Sequence, residues 1–172
     1  MSSWIGLSIG LPLSIGLCAS YKALRPGSSG WHNRLHKPKY NVPHSLLLPL
    51  FTGLYTIEGV ATYLVSSEMV LGGTGNREAV VVQAGHWGLG FYWLSLTFLF
   101  FWPALVASGP MFVNAAMANI SIAVVLQLLA LVQFFRLTVA GGLLHLLCLF
   151  VTQTLAVWNA ALIQKSRVRL PL

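Results

Sequence analysis

The chain has 172 residues, of which 56% are hydrophobic and 8% are charged, and its mean hydropathy is +0.76. A soluble domain carries about a quarter charged residues to cover its surface, so this composition excludes an ordinary water-soluble globule. It also excludes a disordered chain and a disulfide scaffold, because Cys18 and Cys148 are the only cysteines and both lie in apolar runs. The composition therefore predicts an integral membrane protein.

Five apolar stretches follow one another along the chain, each long enough to cross a bilayer, which takes about 20 residues. They cover approximately residues 4–24, 45–65, 79–106, 111–135 and 138–163. No charge precedes the first stretch, which argues against a cleaved signal peptide. The third is longer than needed, so we expect it to tilt, to kink near Pro103 or to begin outside the hydrocarbon. The sequence predicts an all-α, five-transmembrane-helix bundle that forms one domain over residues 1–172.

The placement of the basic residues predicts the orientation of this bundle. With five spans, the first loop, the third loop and the C-terminus share one side, which carries eight of the ten basic residues; Arg77 and Arg136 lie on the other. Short loops rich in Lys and Arg stay cytoplasmic, so the first loop is predicted to be cytoplasmic. Because these charges flank spans and form no stripe on a soluble fold, the predicted partner is the lipid bilayer and not a nucleic acid.

The first loop, residues 28–44, is the largest polar segment of the chain. Trp31 and Tyr40 suit the membrane interface, and Pro38 and Pro43 stiffen the return into the second span. Two interpretations are open at this point. The loop could cap the mouth of the bundle and gate a ligand, or it could be a connector that lies against lipid headgroups.

The loop and the following span carry a recognisable motif. It reads Trp31-His32-Asn33-Arg34-Leu35-His36-Lys37-Pro38, then Pro43, then Leu54-Tyr55-Thr56-Ile57-Glu58-Gly59. This resembles the W-Y-x-x-L-x-K-P…P…L-Y-x-x-M-G signature of the TspO/MBR family, the translocator or peripheral-type benzodiazepine receptor proteins. The register holds without a gap from Trp31 to Val65, and that family's five-span architecture agrees with the five stretches. Trp102-Pro103 and Asn159 align with a third-helix W-P and a fifth-helix asparagine of the family.

The chain departs from the family pattern at several positions. It has His32 where tyrosine is usual, Phe51 where the second helix has tryptophan, and Glu58 where that helix has methionine. Leu99 replaces a third-helix asparagine, and Val151 replaces a fifth-helix tryptophan. The resemblance therefore does not carry the family's drug binding over to this chain, although helix packing survives such changes.

The resemblance implies a cavity between the helices, closed by the first loop, that holds a flat apolar ligand and serves its transport or sensing. The implied ligand is a tetrapyrrole, such as a porphyrin or haem, or a cholesterol-like sterol, and no cofactor is required. Aromatic walls would stack on a conjugated ring, and Arg34 and Lys37 could pair with porphyrin propionates. The implied location is the mitochondrial outer membrane if the protein is eukaryotic. The residues implied as ligand contacts are Trp31, Leu35, Lys37, Pro38, Pro43, Phe51, Leu54, Tyr55, Glu58, Trp102, Leu155 and Asn159.

Glu58 is the one charged residue well inside a predicted span. A carboxyl group in the hydrocarbon is costly and usually faces the bundle interior or a cavity, so we expect a partner, either His86 or His145. Its role is open between a proton-linked or ligand-pairing group and a protonated carboxyl that is hydrogen-bonded to a neighbouring helix. The polar amides of the later spans are expected to form interhelical hydrogen bonds.

Catalytic and metal-binding templates are absent from the sequence. It has no HExxH, GxxxxGK or CxxC motif, no aspartate and no carboxylate pair, so we predict neither an enzyme nor a metal site. Two alternatives are kept: an enzyme acting on a porphyrin or sterol with Glu58 or a histidine as proton donor, and a structural or regulatory membrane partner with a vestigial cavity. The GxxxG at Gly6 and Gly10 would permit close helix approach within the bundle or in a homodimer.

Overall fold

The computed structural model describes residues 10–14, 16–18, 21, 44–71, 78–108 and 110–167, and the regular structure in these ranges is helical. Residues 10–14 and 16–18 belong to the first helical segment, which we call α1. The longer helices are α2 (His44–Leu71), α3 (Glu78–Ser108), α4 (Val113–Leu137) and α5 (Val139–Arg167), with a 3-10 turn at Pro110–Phe112 before α4.

The second helix is longer than predicted. The sequence placed its end near residue 65, whereas α2 continues to Leu71, directly before Gly72-Gly73. The hydroxyls of Ser66 and Ser67 donate to carbonyls of the preceding turn at 2.8 Å, so these polar residues are accommodated within the helix and do not end it. The third helix also continues through Pro103 to Ser108, before Gly109-Pro110.

Three helices of the described residues are long and apolar enough to cross a membrane: Val80–Val106, Val113–Leu137 and Val139–Ala161. The 28-residue α2 is not among them, which fits its content of Glu58, Glu68 and several hydroxyl residues. The chain is therefore helical and suited to a bilayer, while the total of five spans stays a prediction.

Contacts between side chains show that the long helices alternate in direction. Phe51 and Trp102 are neighbours at one end of α2 and α3, and Asn159 of α5 meets Met117 of α4 at that same end. We call this the aromatic end; it is the end at which α2 begins, after the first loop. The opposite end, which we call the hairpin end, holds the turn at Thr138 between α4 and α5.

The fourth helix packs between α3 and α5 and presents small residues to both. Its buried residues recur at intervals of three and four: Val113, Ala116, Ile120, Ala123, Gln127, Ala130 and Phe134. The three alanines are fully buried and recur every seven residues, so α3 and α5 can approach the α4 backbone closely. In lipid, where burial of apolar surface drives no association between helices, such close packing is a main source of helix attraction.

Glycines allow close approach at particular points of the bundle. Gly16 of α1 lies against the ring of Tyr55, and Gly142 lies against the ring of Phe135 beside the α4–α5 turn. In that turn Thr138 is the one non-helical residue, and its N–H donates to the carbonyl of Phe134 at 2.8 Å. By contrast, no atom of the described residues lies within 4 Å of the side-chain position of Gly10, which is the half of the GxxxG motif that the structure describes.

The α3–α4 contact at Gly88 yields a stability prediction. A Cβ on Gly88 would lie 3.0 Å from the Cβ of Gln133 and 3.2 Å from the ring of Phe134, which is fully buried. Gly88→Leu should therefore lower the free energy of unfolding by about 1–3 kcal/mol through overpacking. The measurement is thermal unfolding in detergent, followed by helical circular dichroism.

Gly90→Leu is the matched control, because no atom of the described residues lies within 4 Å of the side-chain position of Gly90. Both variants gain the same helix propensity and the same apolar side chain, so only the packing differs. Equal unfolding temperatures for the two variants would contradict the α3–α4 contact described above.

Candidate functional site

A row of buried residues runs along one face of α2, and it combines apolar and polar side chains. At spacings of three and four it contains Phe51, Leu54, Tyr55, Glu58, Ala61, Thr62 and Val65, each at most 4% exposed. The facing row on α5 is Cys148, Thr152, Leu155 and Asn159, preceded by His145. Two helices with such faces must satisfy their polar groups against each other, because the bilayer offers no hydrogen-bond partner.

The main polar contact between these faces joins Glu58 to His145. Nδ1 of His145 lies 2.9 Å from Oε2 of Glu58, and the two side chains are 0% and 1% exposed. On its other side the imidazole Nε2 lies 3.1 Å from the backbone carbonyl oxygen of Gln127 on α4. The histidine thus connects three helices through two hydrogen bonds.

The geometry defines how many protons this pair holds. A backbone carbonyl only accepts hydrogen bonds, so Nε2 of His145 carries a hydrogen and donates it to Gln127. One further proton between Nδ1 and Oε2 completes the bond to Glu58. The pair as a whole is then neutral, whichever of the two atoms holds that proton. A neutral pair avoids the large cost of an isolated charge in a medium of low dielectric constant.

Aromatic and polar groups enclose the pair. The rings of Phe134 and Tyr92 have centroids 4.9 Å and 6.3 Å from the imidazole centroid. Oε1 of Glu58 and Oε1 of Gln127 are buried and have no hydrogen-bond partner among the described residues. Within that same part of the chain, no three His, Cys, Asp or Glu side chains lie close enough together to hold a metal ion.

A cluster of aromatic side chains lies closer to the aromatic end of the bundle than the Glu58–His145 pair does. Phe51 stacks on Tyr55 with a centroid distance of 6.1 Å, and it also contacts Trp102 at 6.4 Å. Tyr55 contacts Phe100 at 5.6 Å, and Trp102 meets Trp158 edge to face at 6.4 Å. We call these five side chains the aromatic cluster; it joins α2, α3 and α5.

Two buried polar atoms at this cluster have no partner among the described residues. They are the indole Nε1 of Trp102, which is a donor, and the carbonyl Oδ1 of Asn159, which is an acceptor. Asn159 uses its amide nitrogen on Met117, at 3.8 Å from the sulfur, so its oxygen is the unsatisfied part. Buried polar atoms without partners are uncommon, and they are candidates for bonds to a ligand or to ordered water.

Sequence-predicted site residues fall into two groups. Trp31, Leu35, Lys37, Pro38 and Pro43 lie outside the residues that the structure describes. The other seven are all buried, and all of them line the interior of the bundle: Phe51, Leu54, Tyr55, Glu58, Trp102, Leu155 and Asn159. Of the two candidate partners of Glu58, the structure selects His145, because His86 is exposed.

Two members of the aromatic cluster, Phe100 and Trp158, were not among the predicted contacts. Trp158 could have been predicted from the sequence, since it lies three residues after Leu155 and next to Asn159, and both of these are predicted contacts on the same helix. The expectation of interhelical hydrogen bonds from the polar amides is confirmed for Asn159, whose amide nitrogen donates to Met117 of α4, and it is wrong for Gln133. The side chain of Gln133 bonds Arg136 on its own helix, and Oε1 of Gln127 has no partner in the described part of the chain.

The Glu58–His145 bond can be tested with a double-mutant cycle. Glu58→Leu or His145→Phe alone leaves the other buried polar side chain without this hydrogen bond and should lower the free energy of unfolding by about 1–3 kcal/mol. The double variant removes both polar groups and should cost less than the sum of the two. Unfolding in mixed detergent micelles measures all three.

Glu68→Leu, at an exposed carboxyl of the same helix, is the control and should be nearly neutral. Additive single effects would show that the two side chains are not coupled.

Comparison with known families agrees with this architecture. The family model described as the TspO/MBR family matches residues 8–164, which is most of the chain and includes the described parts of all the helices except the last turn of α5. No curated protein matches the chain. The match extends far beyond the loop motif, across the helices that carry the Glu58–His145 pair and the aromatic cluster, and the chain therefore belongs to the TspO/MBR family of membrane proteins.

Proposed function

We propose that this membrane protein binds a flat, largely apolar ligand of the tetrapyrrole class (porphyrin or haem) or the sterol class at the aromatic cluster. The observation that carries the proposal is a pair of buried atoms without a hydrogen-bond partner among the described residues, Trp102 Nε1 in the aromatic cluster and Asn159 Oδ1 at the same end of the bundle. A ligand with a rigid ring system, one acceptor and one donor would satisfy both. Tetrapyrroles and sterols both meet this description.

The aromatic cluster supplies the apolar part of this recognition. Its rings offer both flat faces and edges, and aromatic pairs contribute about 0.5–1.5 kcal/mol beyond the burial of their area. Trp158 touches Trp102 and precedes Asn159, so the donor and the acceptor lie at the same end of the bundle. Arg34 and Lys37, in the loop outside the described residues, would add charge-assisted bonds to propionates if the ligand is a porphyrin.

Ligand entry requires side chains of the cluster to move. Phe51 and Trp102 are only 3% and 5% exposed, and Tyr55 is fully buried, so the described residues are packed at this point. Part of the binding energy is then used to separate the rings, which favours a large ligand that replaces their mutual contacts. We propose transport or sensing of this ligand as the role, in the mitochondrial outer membrane if the protein is eukaryotic.

A binding titration on the purified protein tests the proposal. Protoporphyrin IX and cholesterol are the two probes, and quenching of tryptophan fluorescence or radioligand retention gives the dissociation constant. Trp102→Leu removes a ring contact and a hydrogen-bond donor. It should weaken binding by at least about tenfold, which corresponds to about 1.4 kcal/mol. Asn159→Leu should weaken binding by a similar factor.

Phe101→Leu is the matched control, because Phe101 adjoins Trp102 in sequence but is 61% exposed on the outside of α3. It should bind both probes as the unmodified protein does. Failure of the unmodified protein to bind either probe saturably would reject the proposal. Equal losses in Trp102→Leu and Phe101→Leu would show that the site lies elsewhere.

A second candidate is acid–base chemistry on a bound porphyrin or sterol, favoured by the proton that Glu58 and His145 share. Conversion of protoporphyrin, followed by chromatography in the dark and in light, measures it. Glu58→Gln keeps the shape of the side chain but has no acidic proton, so it should abolish any conversion. Conversion at the same rate in both proteins would exclude the pair as the catalyst.

A further inference from the structure

A second feature of the bundle lies at the hairpin end, far from the aromatic cluster. A groove of about 650 Å³ runs between the start of α3 and the end of α4. Its walls include Val80, Gln83 and Trp87 from α3, and Gln133, Arg136 and Leu137 from α4. The groove is open to the outside of the helix bundle, so whatever occupies it can enter from the surrounding membrane.

The polar chemistry of the groove is that of an anion site. Arg136 presents five N–H donors, and its recorded hydrogen bond is a long one of 3.5 Å to the side-chain oxygen of Gln133. In the described part of the chain Arg136 forms no ion pair, and no carboxyl group lines the groove. The amide nitrogens of Gln83 and Gln133 add donors on both walls. A guanidinium flanked by amide donors matches the oxygens of a phosphate group.

An apolar track leads away from the groove towards the middle of the membrane. On α3 the exposed residues Val80, Trp87, Leu94 and Phe101 recur every seven residues and form one stripe along the helix. On α4 the exposed residues Val125, Leu129 and Val132 precede Arg136 at intervals of four, three and four. Aliphatic and aromatic stripes of this kind suit acyl chains, while Trp87 is the residue type that favours the interface.

We propose that this groove binds one anionic phospholipid, with its phosphate on Arg136 and its acyl chains along the α3 and α4 stripes. Two observations favour a lipid over a soluble phosphate compound: the lining combines Arg136 with apolar residues such as Val80 and Leu137, and exposed apolar stripes on α3 and α4 continue from it. Arg136 is the charged residue among the described residues that line the groove, and its positive charge favours an anionic over a zwitterionic headgroup. The site does not depend on the proposed ligand at the aromatic cluster, which lies at the opposite end of the bundle.

Native mass spectrometry and thermal unfolding of the full chain in detergent test this proposal. The probes are dioleoyl phosphatidylglycerol, dioleoyl phosphatidylcholine and glycerol 3-phosphate, each added at matched concentration. The unmodified protein should retain one phosphatidylglycerol molecule and prefer it about fivefold over phosphatidylcholine, the effect expected of one basic residue near a membrane surface. Phosphatidylglycerol should also raise the unfolding temperature more than phosphatidylcholine does.

Arg136→Gln is the test variant, because it removes the charge from an exposed side chain and should leave folding intact. Arg167→Gln is the matched control; it makes the same change of charge at the last residue of α5, near the other end of the bundle. We expect the preference for phosphatidylglycerol to fall to about one in Arg136→Gln and to persist in Arg167→Gln.

Three outcomes would overturn the proposal. Equal losses in the two variants would show a general attraction of anionic lipid to a basic protein and no site at Arg136. Equal retention of the two phospholipids by the unmodified protein would show that the groove does not select charge. Stabilisation by glycerol 3-phosphate as strong as that by phosphatidylglycerol would indicate a site for soluble phosphates.

Discussion

The hydrogen bond between Glu58 and His145 is the constraint around which the bundle is organised. A carboxyl group buried inside the bundle needs a hydrogen-bond partner, since a buried polar group without one costs about 1–3 kcal/mol. The bond at 2.9 Å holds α2 against α5, and the second bond of the imidazole, to the Gln127 carbonyl, ties both to α4. This explains how α2, which carries Glu58, Glu68 and several hydroxyl groups, can lie within the bundle.

The same bond accommodates a residue at which this chain departs from the family signature that its sequence resembles. Where the family signature has methionine, this chain has Glu58, and the change is acceptable because His145 faces it from α5. The aromatic rings of Tyr92 and Phe134 close the remaining sides. Methionine needs no such partner, so the two residues form a matched pair in this chain.

The pair also separates two ends of the bundle with different chemistry. At the aromatic end lies the aromatic cluster, where the Trp102 donor and the Asn159 acceptor have no partner among the described residues. Towards the α4–α5 turn lies the groove with Arg136 and its flanking amides. A flat ring system fits the first and a phosphate headgroup fits the second. Glycines and alanines between them allow the described helices to approach one another closely.

The sequence by itself determined the membrane class, the helical architecture, the family motif and which residue types crowd the interior. The membrane class and the helical architecture follow from composition and periodicity, which are local properties of a chain in a bilayer, whereas the motif indicated the family through its resemblance to a known signature. The end of α2 was predicted too early from the sequence, because hydroxyl residues are typical of helix ends. In the structure their hydroxyls donate to carbonyls of the same helix, which continues past them. Only the tertiary structure decided that Glu58 meets His145 and not His86, that Trp158 joins Trp102, and that Gln133 and Arg136 share a groove with Trp87. Such contacts depend on the rotation and depth of each helix relative to the others. The 3.6-residue period of one sequence shows which face of a helix is buried, but it does not show which residues of another helix that face meets.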